Sequence, residues 1–544
     1  MTGYIPTILK YAFSAAFALA SVPALKKYRY AVQSLLELAV IFAAMDLLLI
    51  RFTAPVWVLS ALIMFLFNAQ ALVLCFGGSY TTLVMLTNLD SWQDLLGKMG
   101  QYLAAILALL VFTLLPVKKI PMPVTGNLII LAVSLFLQVL CLMAAGPSSS
   151  PFFGLMEMVR TLAVNRKWTL LAEKEGKNTA PSFYRESVPG FRKKPESLPE
   201  NPNIVLIFTE GLSSHMIRDK RKIMPRTARF MRSCLRFSHY YNHTYATYCA
   251  LIGQLYSGYQ LNNYDSNALV SLQSILRERG YDTVMINTEP KNRLFTDYLG
   301  RLGFDRVVTG SVDDLRGEAR SLSDGQAYGL LWKTLQGQAE KGKPFLTAIY
   351  TFGSHISFDS PRGEARFGDG KDSTLNKMRN VDVQFGAFME KLENSPLAAN
   401  TLVVFTGDHC AYGDLFYRRA FPAYERVNTD VDEMPLAIWH RDVVPETIDA
   451  GGRNTLDMVP TLLDYLDISA PNYFLGTSLF GPGARREDRF DTYFYDASYT
   501  LSTEDGNIRL LTDRERNRFE KSLVRYFAAR SRGPRKGKKP PAQT

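Results

Sequence analysis

Two apolar runs about two hundred residues apart each end in acid: Asn203-Ile-Val-Leu-Ile-Phe-Thr-Glu210 and Thr401-Leu-Val-Val-Phe-Thr-Gly-Asp408-His409. Carboxylates offer hard anionic oxygens and imidazole a nitrogen, so Glu210, Asp408 and His409 brought together would bind a divalent cation. Short continuous runs rich in Val and Ile read as buried parallel strands. In open α/β sheets the carboxyl ends of such strands form the ligand crevice. The two runs, placed in one sheet, would therefore deliver all three side chains to one edge. The plainer alternative is that both acids cap strand-to-helix turns; a histidine directly after the second acid favours the metal.

A cation needs a reacting partner. In Tyr245-Ala-Thr247-Tyr-Cys-Ala-Leu-Ile-Gly-Gln-Leu-Tyr-Ser-Gly258 the apolar spacing becomes helical from Ala250, which puts Thr247 near a helix N-terminus. Free backbone N–H groups and a positive dipole end favour a phosphate there. A hydroxyl beside a cation ionises more readily and can attack phosphorus, giving a phosphothreonine intermediate. The alternative is that Thr247 is only an N-cap, and His243 and Thr244 are nearby competitors. The run Pro344–Phe352 reads as a further buried strand, leading to Gly353-Ser354-His355. His355 at the same sheet edge could bind the transferred phosphate or protonate a leaving alkoxide. His215, His239 and His440 lack such a setting and read as structural.

The elements that must position these groups follow from patterning. Ser271–Gly280 reads as a helix with a glycine stop, followed by a strand over Tyr281–Asn287, and Asn380–Leu392 as a helix leading to the run at Thr401. Alternating strands and helices predict a layered α/β domain with helices on both faces of a central sheet. Ahead of it, five segments are apolar enough to cross a bilayer: 7–25, 31–50, 55–77, 100–117 and 126–146. An odd number of spans puts the chain ends on opposite sides, so a cytoplasmic N-terminus leaves the α/β domain outside. Arg51, Lys118 and Lys119 obey the positive-inside rule in that orientation, whereas Lys26, Lys27 and Arg29 do not. Glu37 and Asp46 lie within the second span, each near an end, where a structural reading is at least as good as a functional one. Residues 151–176 predict an amphipathic linker helix.

Charge is uneven along the 544 residues, whose formal net charge is +11. The segment 514–544 carries a surplus of nine positive charges and residues 1–150 a surplus of four, which leaves about −2 for residues 151–513. The catalytic body is near neutral and the basicity belongs to a tail, either pressed on anionic lipid or solvated. No basic face with groove-reading elements is present, which argues against a nucleic-acid partner. Five cysteines, two of them in apolar spans, make no disulfide framework.

Taken together, these residues resemble the alkaline-phosphatase/sulfatase superfamily, in its membrane-anchored branch of lipoteichoic acid synthases and phosphoglycerol transferases; phosphoethanolamine transferases are close relatives. Glu210, Thr247, Asp408 and His409 match that family's metal ligands, with Thr247 its nucleophile, and Ser354-His355 matches its substrate histidine. Leu302-Gly-Phe-Asp305, Leu322-Ser-Asp324 and Asp457-Met-Val-Pro-Thr-Leu-Leu463 add to the likeness, and Arg293 matches the basic contact to glycerol phosphate. No cysteine is followed by the x-Pro-x-Arg of formylglycine sulfatases, which argues against sulfatase activity. Gly407-Asp408-His409-Cys410 and the scarcity of cysteines favour the phosphoglycerol branch over the phosphoethanolamine branch.

The expectation is then an all-α bundle of five transmembrane helices (1–146), a helix and linker (147–202), an extracytoplasmic α/β alkaline-phosphatase-like domain (203–513) and a basic tail (514–544). The resemblance implies a multi-pass protein of the bacterial cytoplasmic membrane. It would move phosphoglycerol from a phospholipid donor to a cell-envelope glycan or polymer, using manganese, with magnesium or zinc as alternatives. Phosphoethanolamine transfer, phosphodiester hydrolysis and an inactive binding protein are the competing readings.

Overall fold

The computed structural model describes the chain except residues 1, 22–27, 78, 83–84, 87–98, 146–148, 176–182, 245, 260–268, 316–318, 320, 356–357, 425, 427–430, 483–491, 494–499, 503–508 and 533–544. Lys26, Lys27, Tyr245 and the end of the basic tail thus lie outside the described residues. The chain forms two compact units. One gathers Met1–Val164 with Tyr412–Tyr424, and the other holds Asn165–Ala411 and Glu425–Phe494 together with the C-terminal segment.

The first unit is helical: Ile5–Ser21, Tyr28–Leu48, Ala54–Gly77, Met99–Leu114 and Val124–Ala145. Each of the five expected segments contains one of these helices. Tyr30–Leu48, Ala54–Gly77 and Val124–Ala144 are long and apolar enough to cross a membrane, whereas Ile5–Ala20 and Tyr102–Leu114 are shorter apolar helices. Leu62, Ile129 and Phe136 stand about three-fifths exposed, as side chains facing lipid do. Both acids of the second helix are buried and tie down chain at helix ends. Asp46 takes Lys119 Nζ at 3.0 Å, Ile120 N at 2.7 Å and Asn127 Nδ2 at 2.6 Å. Glu37 accepts from Ser150 Oγ at 2.7 Å and Phe152 N at 3.2 Å. Such pairing supplies the partners that an acid in hydrocarbon requires.

In the second unit an eight-stranded sheet has the order β4-β3-β5-β1-β6-β7-β2-β8. The strands are β1 (Asn203–Thr209), β2 (Leu235–Ser238), β3 (Asp282–Asn287), β4 (Arg306–Thr309), β5 (Phe345–Thr351), β6 (Thr401–Gly407), β7 (Leu436–Trp439) and β8 (Glu446–Asp449). β1 lies centrally, parallel to β5 and β6, and β7 runs antiparallel to β6 and β2. Every residue of β1, β5 and β6 is buried, as strands covered on both faces must be. Ile207 pairs with Phe405 and Phe208 with Tyr350, so those two rings point to opposite faces. On one face Phe405 packs with Phe385 of helix Ser373–Glu393 and Phe230 of helix Pro225–Arg232. On the other, Tyr350 packs with Phe295, which with Tyr298 and Tyr248 joins helices Arg293–Arg301 and Thr247–Tyr256. Helices therefore cover both faces.

Residues Asp513–Arg532 form a helix whose Phe519, Leu523, Val524, Tyr526 and Phe527 are buried. Phe519 meets Tyr259 edge-on at 5.6 Å between centroids. A Cβ on Gly258, just past helix Thr247–Tyr256, would fall 1.7 Å from the Tyr526 hydroxyl oxygen. The C-terminal helix is thus seated against the end of the helix that carries Thr247. Gly258→Ala should destabilise the domain by roughly 1–3 kcal/mol through overpacking and open residues 513–532 to protease. Unchanged melting and unchanged proteolysis would show that this seat is loose.

Candidate metal centre

Register decides the site. Thr209 pairs with both Thr351 and Gly407, so β1, β5 and β6 end level and the residues that follow them leave the sheet together. Glu210, Asp408 and His409 each present a ligand atom, and those atoms lie within 4.8 Å of one another. All three residues are buried. Asp408 Oδ1 accepts from Gly211 N at 2.8 Å and His409 N at 2.7 Å, while its Oδ2 is buried with no hydrogen-bond partner. His409 Nδ1 lies 2.7 Å from the Cys410 carbonyl oxygen. Donation there leaves Nε2 as the nitrogen able to coordinate a cation, and Nε2 is 3.5 Å from Glu210 Oε1 and 3.4 Å from Asp408 Oδ2.

The electrostatics ask for a positive charge. Burial, and then Asp408, push the Glu210 carboxyl up, and burial does the same for Asp408. Burial would lower His409, but the two carboxylates outweigh it and raise its pKa. Three such donors, one with an orphaned oxygen, fit a divalent cation held by two oxygens and one nitrogen.

Thr247 joins this group. It is the first residue of its helix; the N-cap position belongs to Ala246, which has no side-chain cap, so the capping alternative for Thr247 does not hold. Its Oγ1 donates to Glu210 Oε2 at 3.3 Å and lies 3.5 Å from the Tyr350 hydroxyl. Ala246 sits at φ 74°, ψ 143°, a region that costs a residue with a side chain about 1–3 kcal/mol. The strain falls on the residue that aims Thr247. Tyr350, which sequence reasoning missed, donates to Glu210 Oε2. Burial, then Glu210 and Asp408, keep it protonated.

His355 follows β5, its ring stacked on Phe352 at 4.6 Å. Ser354 Oγ donates to the Glu210 carbonyl oxygen at 2.6 Å, which ties the His355 turn to the ligand. Asp324 supports that turn from behind: Gly353 N donates to its Oδ1 at 3.2 Å, and a Cβ on Gly353 would lie 2.2 Å from Oδ2. Arg293 is different. It stands exposed at the start of its helix, and no described contact brings it to the cluster. His243 is buried away from the centre, with Nδ1 2.6 Å from Thr455 Oγ1 and Nε2 against Gly253. Burial lowers its pKa to about 3, so it stays neutral. His440 meets Tyr465 and His239 meets Asp449, both outside the cluster.

Residues 202–468 match the sulfatase family. The domain belongs to the alkaline-phosphatase/sulfatase superfamily. A curated relative, the lipoteichoic acid synthase-like YvgJ of Bacillus subtilis (strain 168), is 22% identical over 306 residues, which are 50% of this chain and 48% of the relative. The chain thus spans about half the length of the curated relative it matches. An alkaline-phosphatase-superfamily protein of Vibrio parahaemolyticus superposes with TM-score 0.51 at 19% identity, covering 67% of this chain and 94% of that one. The lipoteichoic acid synthase LtaP of Listeria monocytogenes superposes with TM-score 0.48 at 17% identity, covering 66% and 96%.

Two expectations follow. Asp408→Asn keeps the acceptor for Gly211 and His409 but removes one of two repelling charges. The metal-free protein should then melt higher, and the further rise on adding manganese should vanish; a retained rise would place the cation elsewhere. Burial pushes the Asp324 carboxyl up to about 7 from 3.8. A folded pKa above the unfolded one stabilises at low pH, and that stability is lost as pH rises through 7. Asp324→Asn should therefore raise the melting temperature relative to wild type at pH 8, with the gap closing toward pH 4. A gap independent of pH would refute the buried acid.

Proposed function

We propose that this protein transfers a phosphoglycerol headgroup from a membrane phospholipid to a hydroxyl of a cell-envelope glycan or polymer, through phosphothreonine at Thr247, outside the cytoplasmic membrane. The observation that carries this reading is the Thr247 hydroxyl held 3.3 Å from Glu210 Oε2, among Glu210, Asp408 and His409. Glu210, Asp408, His409 and Thr247 would hold the cation, manganese first, with magnesium or zinc as alternatives. When bound, it supplies a Lewis acid that eases ionisation of the hydroxyl and neutralises charge on the phosphoryl group.

The Thr247 oxygen forms the new bond to phosphorus while its proton passes toward Glu210 Oε2. The bond from phosphorus to the diacylglycerol oxygen breaks, and His355 protonates that leaving oxygen. An acceptor hydroxyl then attacks phosphorus and frees Thr247, with the proton transfers reversed. Tyr350 holds Glu210 Oε2 toward Thr247 throughout. Arg293 is proposed as a contact to the headgroup, reached from its exposed helix start. Apolar helices long enough to cross the bilayer suit a donor whose headgroup stays at its surface. The five cysteines, all free, fit the phosphoglycerol branch better than the disulfide-bearing phosphoethanolamine relatives. The name of the Bacillus relative points the same way.

The test is to incubate purified protein and manganese with headgroup-labelled phosphatidylglycerol or phosphatidylethanolamine, then to find the label by peptide mass spectrometry. Label from phosphatidylglycerol on the Thr247 peptide, with activity falling at least 10³-fold in Thr247→Ala, is the expected result. Label from phosphatidylethanolamine alone would move the reading to phosphoethanolamine transfer. Release into water without protein label would make the protein a hydrolase, and full activity in Thr247→Ala would end the covalent mechanism.

A further inference from the structure

A buried charge pair lies behind the centre, on residues that no motif marks. Arg426 Nε is 2.9 Å from Asp432 Oδ2, with both side chains about 5% exposed. The same guanidinium donates through Nη1 to the Ala411 carbonyl oxygen at 2.6 Å and through Nη2 to Ser213 Oγ at 3.1 Å. Ser213 Oγ in turn accepts from Ala411 N at 3.2 Å. Both polar groups of Ala411, three residues past Asp408, are thus engaged by one small network. Asp432 carries the network onward. Its backbone N donates to Asn242 Oδ1 at 3.0 Å, and Asn242 Nδ2 donates to the Thr244 carbonyl oxygen at 2.8 Å. Thr244 is three residues before Thr247. His215 Nε2 also faces Asp432, at 3.9 Å, but burial lowers its pKa to about 4. At neutral pH the guanidinium is therefore the cation that balances Asp432.

We infer that the Arg426–Asp432 pair is a positioning device, holding the turn that carries Asp408 and His409 in register with the loop that aims Thr247. A buried ion pair adds little net stability over apolar side chains of the same volume, so stability alone gives weak reason for one here. What apolar side chains cannot do is reach three segments at once. The planar fork of arginine sets its charge against Asp432 while donating to Ala411 and Ser213, whereas the single ammonium of lysine does not reproduce that geometry. The location fits the role. The chain leaves this unit after Ala411, spends Tyr412–Tyr424 in the other unit and returns at Glu425. Arg426 and Ala411, the described residues that flank that excursion, are joined by the Nη1 hydrogen bond of 2.6 Å.

The inference rests on the cation site proposed above, and manganese binding tests it without reference to transfer. Full-length protein in nanodiscs is titrated calorimetrically with manganese, and its melting is followed in chelator. Arg426→Lys keeps a positive charge beside Asp432 and should fold. Its affinity for manganese should drop about 10- to 100-fold, the usual cost of losing a group that orients a ligand, with melting in chelator changed by only a few degrees. Ser213→Ala removes one arm of the fork and leaves the charge pair whole; it should show a smaller loss in the same direction, and it decides the matter if Arg426→Lys does not fold. Wild-type affinity in the folded variant overturns the inference. Wild-type protein that takes up neither manganese nor, in parallel titrations, magnesium or zinc ends both the inference and the cation site. Expected affinity losses without any headgroup transfer would end only the proposed function.

Discussion

Everything at the active edge follows from two carboxylates buried at the ends of adjacent strands. With ligand atoms no more than 4.8 Å apart, two full charges at an effective dielectric of about 20 repel by at least roughly 3 kcal/mol. One imidazole offsets this only in part, and Asp408 Oδ2 remains without a hydrogen-bond partner. A divalent cation resolves the conflict, and each nearby group is arranged as though it does. The Cys410 carbonyl fixes the His409 tautomer, Gly211 N orients Asp408, and the protonated Tyr350 orients Glu210.

Thr247 is placed by strain and packing rather than by a cap. Ala246 is held in a conformation it would not choose, and helix Thr247–Tyr256 is wedged between His243 at Gly253 and Tyr526 at Gly258. Each glycine admits a side chain whose position a Cβ would deny. The strained residue is thereby over-determined by its surroundings, the condition under which such strain persists at functional sites. Polar contacts behind the sheet edge serve the same end: Asp324 steadies the Gly353–His355 turn, and Arg426 with Asp432 spans the two loops.

The centre was legible where a residue type coincides with the end of an apolar run. Glu210, Asp408 and His409 could be placed because β1 and β6 are unbroken buried strands, and register did the rest. Tyr350 could not, because every residue of β5 is buried and no alternation singles one out. Arg426 and Asp432 lie in a stretch without periodicity, and their partners Ala411, Ser213 and Asn242 belong to other segments. Arg293 matched by type and order, yet its helix leaves it exposed. The C-terminal helix was hidden by its own charge: the basic surplus of 514–532 masked the apolar stripe of Phe519, Leu523, Tyr526 and Phe527. In the first unit the hydropathy pattern found a helix in each of its five apolar segments, but length separates three that can cross a bilayer from two shorter ones.

The most direct measurement of the central claim is anomalous diffraction at the manganese edge from crystals grown with that metal. One strong peak is expected within coordinating distance, about 2.0–2.3 Å, of Glu210, Asp408 and His409 Nε2, with Thr247 Oγ1 beside it. A peak bound elsewhere, or none at full manganese occupancy in solution, would contradict it.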